Sequence, residues 1–247
     1  MPSTLHVTFQ LVGDGPADPA RGLHAALHER IAAVDGALAQ RLHDTPHSPL
    51  SLGLARYRGF GGVLGRDRST VQARLRTLDD ALLPALEAAL APGELFGLEQ
   101  PGAQVQGRVA GLLTETVPYE QVRPANRVTL HFLSPTALKS RDAFLDEPHA
   151  PTLLRGLLRH WNAFAPEPMP EAAWQEAALV NARAEVTRGT VRLPKAPRST
   201  AMFMGRVQLE LPGAARGTLG RAAQLAEWSG AGVKTLYGFG EVAVELG

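Results

Sequence analysis

The chain of 247 residues contains no cysteine. That absence excludes disulfides, thiolate metal centres and cysteine nucleophiles. Lysine is nearly missing as well: Lys139, Lys195 and Lys234 are the only lysines among 25 basic residues. No apolar run approaches the ~18 residues that a membrane span needs. The start, Met1-Pro-Ser-Thr-Leu-His6, lacks a basic stretch leading into an apolar one, as a secretory leader would have. By elimination the expectation is a cytoplasmic protein with no membrane partner. Net charge is only +1, unlike the strongly basic balance of a generic nucleic-acid coat. No glycine-lysine-serine/threonine triplet has the spacing of a phosphate-binding P-loop.

What is present is an apolar share of 45%, enough for real cores, in a length that fits one large domain or two of about 120 residues. Leu5, Val7, Phe9 and Leu11 alternate with His6, Thr8 and Gln10, the pattern of a half-buried strand. Asp18-Pro19 opens a helix carrying Leu23, Leu27, Ile31 and Val34 at helical spacing, which extends toward Leu42. Strands are expected over residues 51–57 and 70–77, a helix capped by Asp79 or Asp80 over 79–90, and strand material on both sides of Pro101-Gly102. The order is β-α-β-β-α-β, that of a ferredoxin-like unit. After a linker over residues 118–124 the order repeats: a strand over 127–133, a helix over 151–164 with Leu153, Leu154, Leu157, Leu158 and Trp161 inward, a hairpin from 182–193 and 201–211, a helix over 215–228 and a last strand over 236–246. The expected class is therefore α+β, two tandem ferredoxin-like (RRM-like) βαββαβ domains over residues 1–118 and 125–247, the second carrying a C-terminal glycine-rich loop.

That loop is the most informative stretch. Gly230, Gly232, Gly238 and Gly240 surround Lys234 and Thr235. Glycines let backbone N–H groups point outward together as an anion nest, and Lys234 adds a full charge. A dinucleotide fingerprint runs strand, loop, helix; here the order is helix, loop, strand, so that reading is excluded. Arginines cluster at 56, 58, 66, 68, 74 and 76 and, with Lys195, at 183, 188, 192 and 198. Such stripes bind RNA without a basic total, and the arginine fork suits phosphate.

Four segments resemble the CRISPR-associated repeat-RNA endoribonucleases of the RAMP superfamily: the helix end Leu42-His43-Asp44, the strand Arg127-Val-Thr-Leu-His-Phe-Leu-Ser-Pro-Thr136, the strand Met202-Phe-Met-Gly-Arg-Val-Gln-Leu209, and the loop Ser229-Gly-Ala-Gly-Val-Lys-Thr-Leu-Tyr-Gly-Phe-Gly240. The resemblance implies cleavage of CRISPR precursor transcripts within each repeat to release guide RNAs. It implies chemistry with no metal or cofactor, in which the RNA 2′-hydroxyl attacks the adjacent phosphorus and leaves a 2′,3′-cyclic phosphate and a 5′-hydroxyl. Repeat RNA is the expected partner, with a homodimer and CRISPR effector-complex subunits as further ones.

On the same resemblance, His43 stands where the family's catalytic histidine stands, with His47 second, and Arg21 matches an arginine-glycine helix start that would stabilise charge on the scissile phosphate. A histidine acid or base contributes roughly a hundred- to ten-thousand-fold. RNA-holding candidates are Lys139, Arg141, Arg155, Arg159, Arg188, Arg192, Gly230, Gly232, Lys234, Thr235, Gly238 and Gly240. His24 and His28, one turn apart, read as a solvated face, and His6 and His131 as polar strand positions. Some members of the family carry a lysine after the catalytic histidine and others a tyrosine on the first helix; this chain has no lysine within residues 44–55 and no tyrosine on its first helix. That departure keeps open a second reading, a non-catalytic RAMP-family subunit that binds repeat or guide RNA. A stand-alone RNA-recognition module fits less well, as aromatics are only 6% of residues and such modules display them densely on a sheet.

Overall fold

The computed structural model describes residues 1–12, 19–45, 47–54, 70–97, 106–140, 143–192, 199–211, 213 and 216–247, with the backbone alone described at 12, 19–21 and 216. Arg56, Arg58, Arg66, Arg68, Arg141, Lys195, Arg198 and the Pro101-Gly102 turn lie outside the described residues, as does the side chain of Arg21.

The N-terminal half begins with β1 (Ser3–Val12), α1 (Pro19–Val34) and α2 (Gly36–Asp44). In β1 the alternation holds: Leu5, Val7 and Phe9 are buried, and His6 and Thr8 are less so. The single long helix expected up to Leu42 is instead two. Asp35 adopts an extended backbone and its carboxylate accepts the N–H of Leu38 at 2.9 Å, capping a new helix, the usual act of an aspartate at an N-cap. Val34, expected inward, is exposed at this break. β2 (Leu50–Leu54) and β3 (Thr70–Thr77) follow, then a 3₁₀ turn and the short α3 (Leu83–Ala89), then β4 (Leu95–Gly97) and β5 (Gln106–Thr116). The strands form one antiparallel sheet ordered β2-β3-β1-β5-β4.

The C-terminal half comprises β6 (Arg127–Thr136), a small hairpin of β7 (Leu138–Ser140) and β8 (Ala143–Leu145), α4 (Ala150–Phe164), α5 (Glu171–Ala177), β9 (Asn181–Val191), β10 (Thr200–Glu210), α6 (Arg216–Gln224), α7 (Ala226–Ser229) and β11 (Val242–Leu246). Its sheet is ordered β11-β6-β10-β9. In each half the first strand lies between the third and the last of the βαββαβ order, with the second at the edge: the ferredoxin-like arrangement, twice. The five apolar residues expected inward on α4 are all buried. Burying a leucine contributes roughly 1.5–3 kcal/mol, so this face anchors the helix. The last strand starts at Val242, six residues later than its alternation suggests, because Thr235–Tyr237 form a 3₁₀ turn.

Each sheet and its helices enclose a separate core. Between them lies a third cluster of Leu78, Tyr119, Val122, Trp161 and Leu225. The connecting segment is therefore packed. The Tyr119 hydroxyl donates to the Leu78 carbonyl at 3.0 Å, and its ring meets Trp161 edge-on at 5.4 Å.

Candidate active site and nucleic-acid interface

The glycine-rich segment leaves the C-terminal half and lies against the N-terminal one. Gly230, Gly232, Gly238 and Gly240 all have positive φ, and so does Lys234 at 62°. At Gly240 a Cβ would fall on the Ala231 carbonyl oxygen, and at Gly232 on that of Ala137. The segment folds back on itself so closely that a side chain is sterically excluded at both positions. The N–H groups of Ala231, Val233 and Gly240 donate to the carbonyls of Gly240, Ala137 and Pro135, at 2.8, 3.0 and 3.1 Å. These donors hold the segment together and do not face outward, so an outward nest is narrower than the sequence pattern suggests. Gly232 and Lys234 are exposed at its tip.

Two contacts seat this segment. Leu236 packs against the N-terminal core. Beyond Gly240, the buried Glu241 takes the guanidinium groups of Arg74 and Arg76 from β3, the second at 3.3 Å, while its N–H donates to Ser134 Oγ at 2.8 Å. A Cβ at Gly53 would run into the Glu241 carboxylate, so β2 keeps a glycine where the ion cluster passes. Ser51 Oγ adds a bond to the Trp228 carbonyl at 2.7 Å. Arg74 and Arg76, read from sequence as part of an RNA-binding stripe, are spent on this junction: the partner carboxylate lies more than 160 residues away and has no local signature.

The junction assembles histidines. The His24 ring stacks on Tyr237, centroids 4.0 Å apart and planes 19° from parallel, and meets His28 edge-on at 4.8 Å. Lys234 Nζ lies 5.3 Å from the centre of the same tyrosine ring, a cation–π contact. Burial pushes the His24 imidazole down to about 4, assisted by charge on His28 and Lys234. Burial also lowers His28, and charge on His43 adds to it. His24 and His28 are thus not a solvated face. They form a half-buried, largely uncharged group whose partner Tyr237 is supplied by the far end of the chain. His43 is exposed near the C-terminus of α2, close enough to His28 to bear on its charge. Arg21 sits in the first turn of α1. Residues 21, 24 and 28 share one helix face by their spacing, the signal in the sequence that points to the two missed histidines.

A second site adjoins the first. A cleft of about 610 Å³ is lined by Lys139 and Ser140 of β7, by Arg155, Gly156, Arg159 and His160 of α4, by His47, and by Gly230–Val233. Five of the RNA-holding candidates, Lys139, Arg155, Arg159, Gly230 and Gly232, therefore meet around one cavity. Arg188 and Arg192 do not. Arg188 lies on the edge strand β9, where it pairs with the exposed Glu147, and Arg192 follows that strand. His47 and His160 both line the cleft and meet edge-on, with ring centroids 6.0 Å apart. Burial pushes His160 down to about 4, with charge on His47 adding to it.

The other histidines have ordinary partners: His6 with Glu115 at 3.2 Å, His131 with Glu245 at 2.9 Å, and His149 capping α4 through Thr152. Among the described residues no group of three or more His, Asp or Glu side chains is placed to hold a metal ion, and no helix is long and apolar enough to cross a membrane.

Residues 130–242 match the family model of the CRISPR-associated endoribonuclease Cas6. No curated protein matches the chain significantly. Among solved structures, a Cas6 product complex is 27% identical with a TM-score of 0.80, covering 99% of this chain and 100% of that one. A Thermus thermophilus Cas6 is 26% identical, with a TM-score of 0.71 and coverages of 99% and 98%. A RAMP protein described as binding different RNA substrates shares the fold at 13% identity, with a TM-score of 0.69 over 98% of this chain and 99% of that one. The C-terminal half thus resembles Cas6 in sequence, and the whole chain resembles Cas6 structures in fold.

Proposed function

We propose that the protein cuts CRISPR precursor transcripts within the repeat by attack of the RNA's own 2′-hydroxyl, with no metal or cofactor, leaving a 2′,3′-cyclic phosphate and a 5′-hydroxyl. The observation that carries this reading is the junction where His43 and His28, from the N-terminal half, come together with the His24–Tyr237–Lys234 group beside a cation-lined cleft. His43 is exposed at a helix end, where it can reach an RNA backbone, and acts as the general acid or base. Arg21, on the face of α1 that carries His24 and His28, stabilises the charge on the scissile phosphate; the positive end of α1 favours the same charge. Lys234 and Thr235, with Gly232, Gly238 and Gly240 shaping the backbone, hold the phosphates nearest the cut. Lys139, Arg155 and Arg159 hold the adjoining strand, and Arg188 and Arg192 lie further along it; Arg141 is a further candidate for holding the RNA. Residues 1–118 thus supply the chemistry and 125–247 the grip.

The nucleophile belongs to the substrate, so a single 2′-deoxy nucleotide at the cut abolishes cleavage without abolishing binding. End-labelled repeat RNA from the neighbouring CRISPR array, incubated in EDTA, tests the proposal. One cut, a 5′-hydroxyl that polynucleotide kinase labels directly and a 3′ end that yields to acid treatment support it. Tight binding with no cut favours the non-catalytic subunit, for which the lysine-free stretch 44–55 supplies the reason. Cleavage only with added divalent metal contradicts the mechanism.

A further inference from the structure

The cleft contains one residue that neither the fold nor its packing explains. Gly156 lies in the middle of α4, where glycine costs about 1 kcal/mol relative to alanine. A Cβ there would meet nothing within 4 Å. Where Gly232 and Gly240 are sterically forced, Gly156 faces empty space, and that space is the cleft. Around it the three cations are exposed, and none has a carboxylate partner among the described residues. Two imidazoles in edge-on contact with each other, those of His47 and His160, also line the cavity. At about 610 Å³ the cavity falls within the ~300–1,000 Å³ range of sites that enclose a small organic group. A groove that only followed a backbone would need neither this volume nor the flat rings.

We propose that this cleft receives one unpaired nucleotide of the RNA, its phosphate among Lys139, Arg155 and Arg159 and its base beside His47 and His160. The inference rests on RNA being the substrate and names a subsite of it. His160 is held uncharged at neutral pH by burial, so it meets the base as a ring and a neutral hydrogen-bonding partner. The wall formed by Gly230–Val233 runs on into Lys234 and Tyr237, which touch the histidine cluster. A base seated here therefore fixes the position of a neighbouring phosphate relative to His43, and the cleft sets which bond is cut.

Gly156→Leu tests this, because it fills the cleft and removes no charge. Two RNAs serve as probes: the repeat RNA, carrying an abasic site at each position in turn, and a uridine hexanucleotide with no stem. The expected result is that Gly156→Leu weakens both RNAs about tenfold, the scale of one lost base contact, with an unchanged melting temperature. One abasic position should weaken the parent by a similar factor and leave the variant unaffected. If Gly156→Leu melts early, Gly156→Gln replaces it, since its polar end can turn to solvent. Parent-like affinity of the filled variants for both RNAs, or no abasic position that separates parent from variant, overturns the cleft. Failure of the functional reading appears differently: the parent leaves the repeat uncut while the hexanucleotide comparison still decides the cleft, and a parent that binds neither RNA overturns both.

Discussion

The two halves have the same strand order but contribute different things. The N-terminal sheet, β2-β3-β1-β5-β4, carries His24, His28 and His43 on the helices that follow its first strand. The C-terminal sheet, β11-β6-β10-β9, carries in the corresponding region α4 with Arg155 and Arg159. α1 and α2 present three imidazoles; α4 presents two guanidinium groups and one imidazole, that of His160. The glycine-rich segment, at the end of the second half, touches both, through Tyr237 on His24 and through Gly230–Val233 in the cleft. On the proposed function, repetition of the fold becomes division of labour, with proton transfer on one side and phosphate holding on the other.

The largest expected effect separates these roles. His43→Ala should lower the single-turnover cleavage rate roughly a hundred- to ten-thousand-fold, with RNA affinity unchanged in a binding assay. Next is the bond that keeps the halves in register. Glu241→Ala leaves Arg74 and the buried Arg76 without their carboxylate, and breaking such a pair costs about 3–5 kcal/mol, measurable as a lower urea midpoint. Because it unseats Tyr237 from His24, the protein remaining folded should also cut slowly.

Acid should strain both sites. His160 stays neutral down to about 4 in the folded chain, whereas an unfolded histidine takes its proton near 6.5. Between those values the unfolded state binds more protons, so stability is lost as pH falls through the window. The loss attributable to His160 is roughly 2–3 kcal/mol. His24 shifts in the same direction and, being more exposed, adds less. Urea midpoints at pH 7 and pH 4.5 should diverge in the parent and approach each other in His160→Leu.

The smallest effects belong to the outlying arginine. The Arg188–Glu147 pair is exposed on both sides, and such pairs contribute at most about 1 kcal/mol. Arg188→Ala should leave the melting temperature nearly unchanged and weaken RNA binding by a few-fold at low salt, less at high salt.

Alternation in β1, β3 and β6 and the inward face of α4 made the sheets and helices legible in the sequence, and from them the doubled βαββαβ order. What escaped was whatever depends on a partner far along the chain. His24 and His28 look solvated until Tyr237 arrives from the C-terminus. Arg74 and Arg76 look like an RNA stripe until Glu241 occupies them. Residues 236–241 alternate like a strand, yet Leu236 leaves its own half to pack against the other core. The break at Asp35 was local and readable, as aspartate three residues before Leu38 is a helix cap. The meeting of Lys139 with Arg155 and Arg159 was foreseen only as a set of candidates; the cavity that unites them, and the unexplained Gly156 within it, needed the structure.

The central claim is the division of labour, and one experiment addresses it most directly: His43→Ala and the double variant Arg155→Ala/Arg159→Ala, compared for dissociation constant and single-turnover rate on the same repeat RNA. The account predicts that His43→Ala loses rate and keeps affinity, while the arginine variant loses about tenfold or more in affinity, shows a shallower salt dependence and, once saturated with RNA, cuts at close to the parent rate. If both variants lose the same quantity, whether rate or affinity, the two halves do not divide the work and the account is contradicted.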